Sequence, residues 1–156
     1  VAKSRKLKRF WTRQIQAQID ISAEPEAVWR ALTELDRYPD WNPFIRKASG
    51  VIEVGRKLSV SLHVPRGMRM RLRTKLLVVD PVKEMRWIGH ALIPGLFDGE
   101  HAFMIQKMEP TKTGFLQTET FSGLLVPLLG RYIADGALRG FEVMNQALKK
   151  RVENDL

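Results

Sequence analysis

The residues most able to do chemistry in this chain are His101, Gln117 and Glu119. His101 alternates with Phe103 and Ile105, while Gln117 and Glu119 alternate with Phe115 and Phe121. At a period of two, these polar side chains point the same way as the apolar ones, toward a core face. The turn residues from Pro110 to Gly114 join the two runs as a hairpin, so His101 and Glu119 can approach across the strand pair, directly or diagonally. A buried carboxylate is costly unless it is partnered. A His–Glu pair can orient a ligand, or act as general acid and base, because a neighbouring carboxylate tunes histidine toward neutral pH. The plainer alternatives are a structural hydrogen bond, or a Glu119 that reaches solvent at the sheet end.

Other chemistries lack their residues. The chain has no cysteine, which excludes disulfides, thiolate nucleophiles and cysteine–zinc sites. Its histidines, His63, His90 and His101, show neither HxH nor HExxH spacing, and no metal is expected. His63 and His90 fall on outward faces. No phosphate-binding glycine loop or nucleophile elbow is present, and no cofactor is expected.

The elements that must position these residues follow from periodicity. Phe10 to Ile21 alternates as a half-buried strand. Ser22-Ala23-Glu24-Pro25-Glu26 opens a helix whose apolar positions are Ala27, Val28, Ala31, Leu32 and Leu35. Tyr38 to Phe44, with two prolines, reads as a turn or a single helical turn. Short strands follow at Ile45–Val51 and Leu58–Val64, then a turn at Pro65-Arg66-Gly67. In the next strand Met70, Leu72, Thr74, Leu76 and Val78 face inward, and Arg69, Arg71, Arg73 and Lys75 face outward. Strands containing Met85 and Trp87, then Glu100–Met108, then Phe115–Phe121 complete a sheet of about seven, hairpin-linked and so antiparallel. Leu128 to Val152 forms a long amphipathic helix with Ile133, Ala137, Phe141, Met144 and Leu148 on one face. The concave side of the sheet is the large apolar surface available to bury that stripe, an α+β arrangement.

At 156 residues the chain fits one domain, taken as residues 10–153 behind a basic tail of residues 1–9. The net charge is +9, and Lys3, Arg5, Lys6, Lys8, Arg9 and Arg13 all precede the first acid, Asp20. No apolar run is long enough to span a bilayer, and the start lacks the apolar core of a secretory signal, so the expected location is cytoplasmic. The tail and the Arg69/Arg71/Arg73/Lys75 face can attract an anionic membrane surface. Nucleic acid is not the expected partner, because that face lacks interleaved aromatics for stacking. Oligomeric state is not legible.

The segments Ile21-Ser22-Ala23-Glu24-Pro25-Glu26-Ala27-Val28-Trp29, Tyr38-Pro39-Asp40-Trp41-Asn42-Pro43-Phe44, Gly99-Glu100-His101-Ala102-Phe103, Phe121-Ser122-Gly123-Leu124-Leu125-Val126-Pro127 and Gly140-Phe141-Glu142-Val143-Met144-Asn145 resemble the START/Bet v 1-like (SRPBCC) superfamily, in particular its bacterial polyketide cyclase/dehydrase-like members. The resemblance covers about residues 10–152. It implies a helix-grip fold: a curved seven-stranded antiparallel sheet around the C-terminal helix, with two short helices after the first strand. It also implies a deep cavity between sheet and helix for a small hydrophobic ligand such as a lipid, quinone or polyketide, with Trp41 near its mouth.

The residues expected around that ligand are Trp41, Leu58, Leu62, Met70, Leu72, Met85, Trp87, His101, Phe103, Ile105, Phe115, Gln117, Glu119, Phe121, Phe141 and Met144. Concave, mostly apolar sites with a few polar groups are the usual form of small-ligand sites. Binding or carriage of such a ligand is the reading preferred. The alternatives are a cyclase or hydratase using His101 and Glu119 as acid and base, and a module that docks on an anionic membrane.

Overall fold

The computed structural model describes residues 11–154; the tail of residues 1–9 lies outside the described residues. The elements in order are β1 (Thr12–Ile21), α1 (Pro25–Thr33), a single 3-10 turn (Leu35–Arg37), α2 (Tyr38–Trp41), β2 (Ile45–Ser49), β3 (Lys57–His63), β4 (Arg69–Asp80), β5 (Glu84–Ala91), β6 (Phe97–Glu109), β7 (Lys112–Ser122) and α3 (Val126–Asn154). The strands form one seven-stranded antiparallel sheet in the order β1-β7-β6-β5-β4-β3-β2. Consecutive strands from β2 to β7 pair with their neighbours, as the turn residues between them require. The helices α1 and α2 carry the chain from one sheet edge, β1, to the other, β2. The sheet is a half-barrel that grips α3, which is the expected helix-grip α+β fold.

Local chemistry explains most boundaries. The turn at Pro65-Arg66-Gly67 closes with Val64 N–H donating to Met68 O at 3.0 Å and Gly67 N–H to Val64 O at 2.9 Å. The first helix begins later than Ser22. Glu24 is the residue before its first turn, Pro25 occupies that turn, and no side chain caps it. The Ser22 N–H donates instead to Glu153 Oε1 at 2.7 Å, tying the end of β1 to the last turn of α3.

The expectation that Val78 faces inward also fails. The β4–β5 register shifts between Leu76 and Val78, so Val79 pairs with Met85 and joins the core. A bulge inserts one residue and so exchanges the faces beyond it. The outward set Arg69, Arg71, Arg73 and Lys75 lies before the bulge and is exposed.

The buried stripe of α3 changes character along its length. After Val126 in the first turn, the N-terminal half buries Gly130, Ala134, Gly136, Ala137 and Gly140; the C-terminal half buries Phe141, Met144, Asn145, Leu148 and Val152. At the boundary, a Cβ on Gly140 would overlap the ring of Phe44, so the helix approaches α2–β2 only because that side chain is missing.

Candidate functional site

Register alone places the central residues. Ile15, Glu119, His101, Trp87 and Leu76 are successive partners on β1, β7, β6, β5 and β4, and form one row across the concave face. Toward α1 the next row holds Ala17, Gln117, Phe103, Met85 and Val79. Toward the other end the next row holds Arg13, Phe121, Gly99, Gly89 and Thr74. Two glycines are thus paired in mid-sheet, opposite the small residues of the first half of α3. Strand glycines often mark a place where something else comes close to the backbone.

That combination leaves a cavity of about 100 Å³, lined mostly by apolar side chains, between the N-terminal half of α3 and strands β3 to β7. Of the residues expected around a ligand, Leu62, Met70, Leu72, Trp87, His101, Glu119 and Phe121 line it. Leu58, Met85, Phe103, Ile105, Phe115, Phe141 and Met144 do not; they belong to the solid core. Trp41 is not at a mouth. Its ring packs edge-on against Tyr38 at 5.3 Å, and Asn42 Oδ1 accepts the Phe44 and Ile45 N–H groups, which locks the turn that holds it there. The expected deep cavity is therefore confined to one half of the grip.

Several lining residues lay outside the expected set. Phe44 and Phe97 sit beside turns, and Thr74, Gly89, Gly99 and Ala137 are small. His90, read as a solvated outward residue, reaches the cavity rim while its Nδ1 lies 2.7 Å from Asp98 Oδ1. The signal that could have found the hollow was the placement of Gly89 and Gly99 on inward positions of adjacent strands.

His101 and Glu119 are direct register partners, yet they do not bond to each other. His101 Nε2 lies 3.0 Å from Gln117 Oε1. Gln117 Nε2 in turn donates to Asn145 Oδ1 at 2.7 Å and toward Phe141 O at 3.4 Å. Both acceptors fix the Gln117 amide, so its oxygen receives the His101 Nε2–H. The imidazole stacks between Phe103 at 4.1 Å and Phe141 at 4.6 Å. Burial pushes its pKa down from 6.5 to about 3, against the small upward pull of Gln117. It is a neutral ring with Nδ1 as a hydrogen-bond acceptor, not the near-neutral base that a carboxylate partner would create.

Glu119 has no hydrogen-bond or ion-pair partner among the described residues. Its carboxyl occupies space left by Gly99, where a Cβ would lie 2.5 Å from Glu119 Oε1. It keeps some accessible surface, but it lines the cavity, so that surface faces an apolar enclosure. Desolvation raises its pKa from 4.5 to about 8. At neutral pH it is a protonated acid, able to donate one hydrogen bond. Thr74 is also on the cavity wall, and its Oγ1 lies just behind that wall, buried without a partner. The site therefore offers a carboxylic acid and an imidazole acceptor on otherwise greasy walls, with an unpaired hydroxyl directly behind them. No group of residues suited to hold a metal occurs among the described residues.

The comparisons with known proteins bear on the whole unit. The family described as polyketide cyclase/dehydrase and lipid transport matches residues 12–154. Among solved structures, a START superfamily protein from Mycobacterium smegmatis superposes with a TM-score of 0.73 at 19% identity, covering 92% of this chain and 99% of that one. An aromatase/cyclase from Streptomyces sp. R1128 gives 0.75 at 16% identity, covering 92% and 94%. A Mesorhizobium loti protein gives 0.70 at 23% identity, covering 91% and 98%. At these identities the likeness is one of fold. No curated protein matches the sequence.

Proposed function

This chain belongs to the polyketide cyclase/dehydrase and lipid transport family, and on that premise we propose that it binds a small, largely apolar molecule carrying one neutral oxygen function. The observation that carries this reading is Glu119: an unpartnered carboxyl, desolvated into its protonated form, on the wall of an apolar cavity. A buried polar group without a partner is a cost that a ligand can remove. A carbonyl, hydroxyl or ether oxygen would accept from Glu119, and a ligand hydroxyl could also donate to His101 Nδ1. Thr74 Oγ1 can serve either way.

The volume of about 100 Å³ bounds the ligand. It is below the ~300–1,000 Å³ of ordinary ligand pockets and near the ~150 Å³ that accommodates a benzene ring. Even a single ring needs slightly more room than the space as it stands. A lipid or polyketide chain would need Met70 and its neighbours to move, which unbranched methionine does readily.

A second reading has one observation behind it. A carboxyl with a pKa raised to about 8 is suited to general-acid work near neutral pH, so Glu119 could protonate a leaving hydroxyl or an enolate oxygen. His101 is less suited as the base, because its Nε2–H is committed to Gln117.

Native mass spectrometry of the purified protein, followed by solvent extraction and identification of what is released, tests the binding reading. We expect a stoichiometric apolar compound in the wild type and none in Met70→Trp, which fills the cavity, with both proteins folded. A ligand retained by folded Met70→Trp would remove the cavity from the account. With the compound in hand, turnover that is lost in Glu119→Gln while binding persists would favour the enzyme over the carrier.

A further inference from the structure

The cavity end of the sheet carries an apolar rim that the described residues leave exposed. Met68, Leu92, Ile93, Leu124, Leu128 and Tyr132 are all exposed there, Leu92 and Leu128 by 84% and 78%. They come from three segments that the topology brings together. The β5–β6 loop and the β7–α3 junction are joined by Leu124 N–H to Gly95 O at 3.1 Å and Leu125 N–H to Leu96 O at 3.0 Å. Gly123, at φ +127°, permits this contact, since a Cβ there would lie 2.5 Å from Leu96 O. The β3–β4 hairpin lies at the same end, because β4 runs from Arg69 to Thr74 before pairing with Gly89. Leu92 also holds φ +71°, a left-handed conformation that costs a bulky residue about 1 kcal/mol or more. A leucine that is both strained and almost fully exposed gains nothing for the fold.

The charges at this end have one prevailing sign. Segments 11–13, 64–69, 91–98 and 122–135 contain Arg13, Arg66, Arg69 and Arg131 against Asp98 and Asp135. Asp98 is already engaged by His90 and by the Gly95 N–H at 2.9 Å. The chain also enters β1 here, with Trp11 O accepting the Gly123 N–H at 3.2 Å, so Lys3, Arg5, Lys6, Lys8 and Arg9 precede this end directly in sequence. Leucines on loops and on the first turn of α3, with Tyr132 one turn further on, lie among arginines and follow a polybasic stretch of sequence; this is the chemistry of a surface that dips into a headgroup layer.

We propose that this end of the sheet docks on an anionic lipid bilayer, with Leu92, Ile93, Leu124 and Leu128 inserted among the headgroups and the basic residues against the lipid phosphates. The surface is the loop rim, not the outward β4 face of Arg71 and Arg73. It faces the membrane with the same end of the sheet that holds the cavity lining residues His90, Ala91 and Val64. The docking itself does not depend on a ligand being bound.

The experiment is vesicle flotation of the full chain with phosphatidylcholine alone, or mixed with phosphatidylglycerol, at low and high salt. The proteins are wild type, Leu92→Asp/Ile93→Asp, Leu128→Glu, and Arg71→Glu/Arg73→Glu. Circular dichroism melts confirm that each is folded; the substituted side chains are exposed, and two independent rim variants guard against one failing to fold. We expect wild type to float with the phosphatidylglycerol vesicles and to be weakened by salt. The rim variants should bind roughly a hundredfold less, from lost apolar insertion plus added negative charge. The Arg71→Glu/Arg73→Glu variant should lose only a small factor. Wild type that does not float with anionic vesicles overturns the proposal. So do rim variants that bind like wild type, or binding lost only in Arg71→Glu/Arg73→Glu. If wild type instead self-associates in gel filtration, does not float, and the rim variants are monomeric, the rim is a contact between copies of this chain, and the lipid assignment falls.

Discussion

The two halves of α3 close over the same sheet and meet it differently. Under Phe141, Met144, Leu148 and Val152 the space is filled by Phe103, Phe115, Ile105 and Met85, with the stacked rings of Phe103 and Phe141 holding His101 between them. Under Ala134, Gly136 and Ala137 the sheet presents Gly89 and Gly99, and a hollow remains. The polar groups differ in the same way. In the filled half, His101, Gln117 and Asn145 form a closed hydrogen-bonded chain. In the hollow half, Glu119 and Thr74 Oγ1 have no partner among the described residues. One half is filled by the protein's own side chains. The other keeps a hollow of about 100 Å³.

The largest expected consequence is in stability. Phe103→Ala should cost about 3–5 kcal/mol, because a buried ring is lost from a close-packed region that cannot collapse. Leu72→Ala, on the cavity wall, should cost about 1–2 kcal/mol, since Leu72 is only partly buried and already borders empty space. Urea denaturation of both variants measures the contrast. Equal costs would mean that the hollow is closed in solution and that the halves are packed alike.

The second consequence is a pH dependence found in one half alone. The unfolded chain releases the Glu119 proton near 4.5, while the folded chain holds it to about 8. A raised carboxyl pKa means that the folded state binds the extra proton, so its contribution to stability falls as pH rises from 4.5 to 8 and is level above. Glu119→Gln has nothing to titrate there. Between pH 5 and 8.5 wild type should lose roughly 4 kcal/mol relative to this variant. His101 acts in the opposite sense. Its pKa is lowered to about 3, so the unfolded state takes up a proton first and stability falls as pH drops from 6.5 toward 3, in wild type and variant alike. Gln117 and Asn145 do not titrate. A variant with the same alkaline slope as wild type would place Glu119 in contact with water and remove the premise of the site.

This division also accounts for what the sequence could reveal. Strand order and inward faces were legible because alternation and turn residues are local, as in Leu58–Val64 and Pro65-Arg66-Gly67. The bulge near Leu77 was not, since nothing in Leu76-Leu77-Val78-Val79 favours one face over another. Large inward side chains such as Leu62, Met70, Leu72, Trp87 and Phe121 could be named as cavity lining, but so were Phe103 and Phe115, which turn out to be core. Hydrophobic pattern identifies what is buried, and a hollow is made by what is missing. Gly89, Gly99 and Ala137 carry no apolar signal of their own. The pairing of His101 with Gln117 rather than Glu119 depended on Asn145, a helix residue 28 positions after Gln117 that no strand pattern includes.

The smallest effect is the most discriminating between the halves. Thr74 Oγ1 is buried without a partner, and a methyl group of similar size removes that unsatisfied hydroxyl. Thr74→Val should therefore be neutral or gain up to about 1 kcal/mol in the ligand-free protein. Gln117→Leu, in the filled half, should lose about 2–3 kcal/mol, because it leaves the His101 Nε2–H and Asn145 Oδ1 unpaired in a dry interior. Chemical denaturation at pH 6 compares the two. If Thr74→Val were as damaging as Gln117→Leu, its hydroxyl would already be satisfied by water in the hollow. The cavity would then be wet rather than apolar, and a ligand would have to displace that water instead of filling a vacancy. A neutral or stabilised Thr74→Val, with weaker uptake of whatever compound the wild type carries, would mean that the hydroxyl is retained at a cost to the empty protein because it finds its partner only in the bound one.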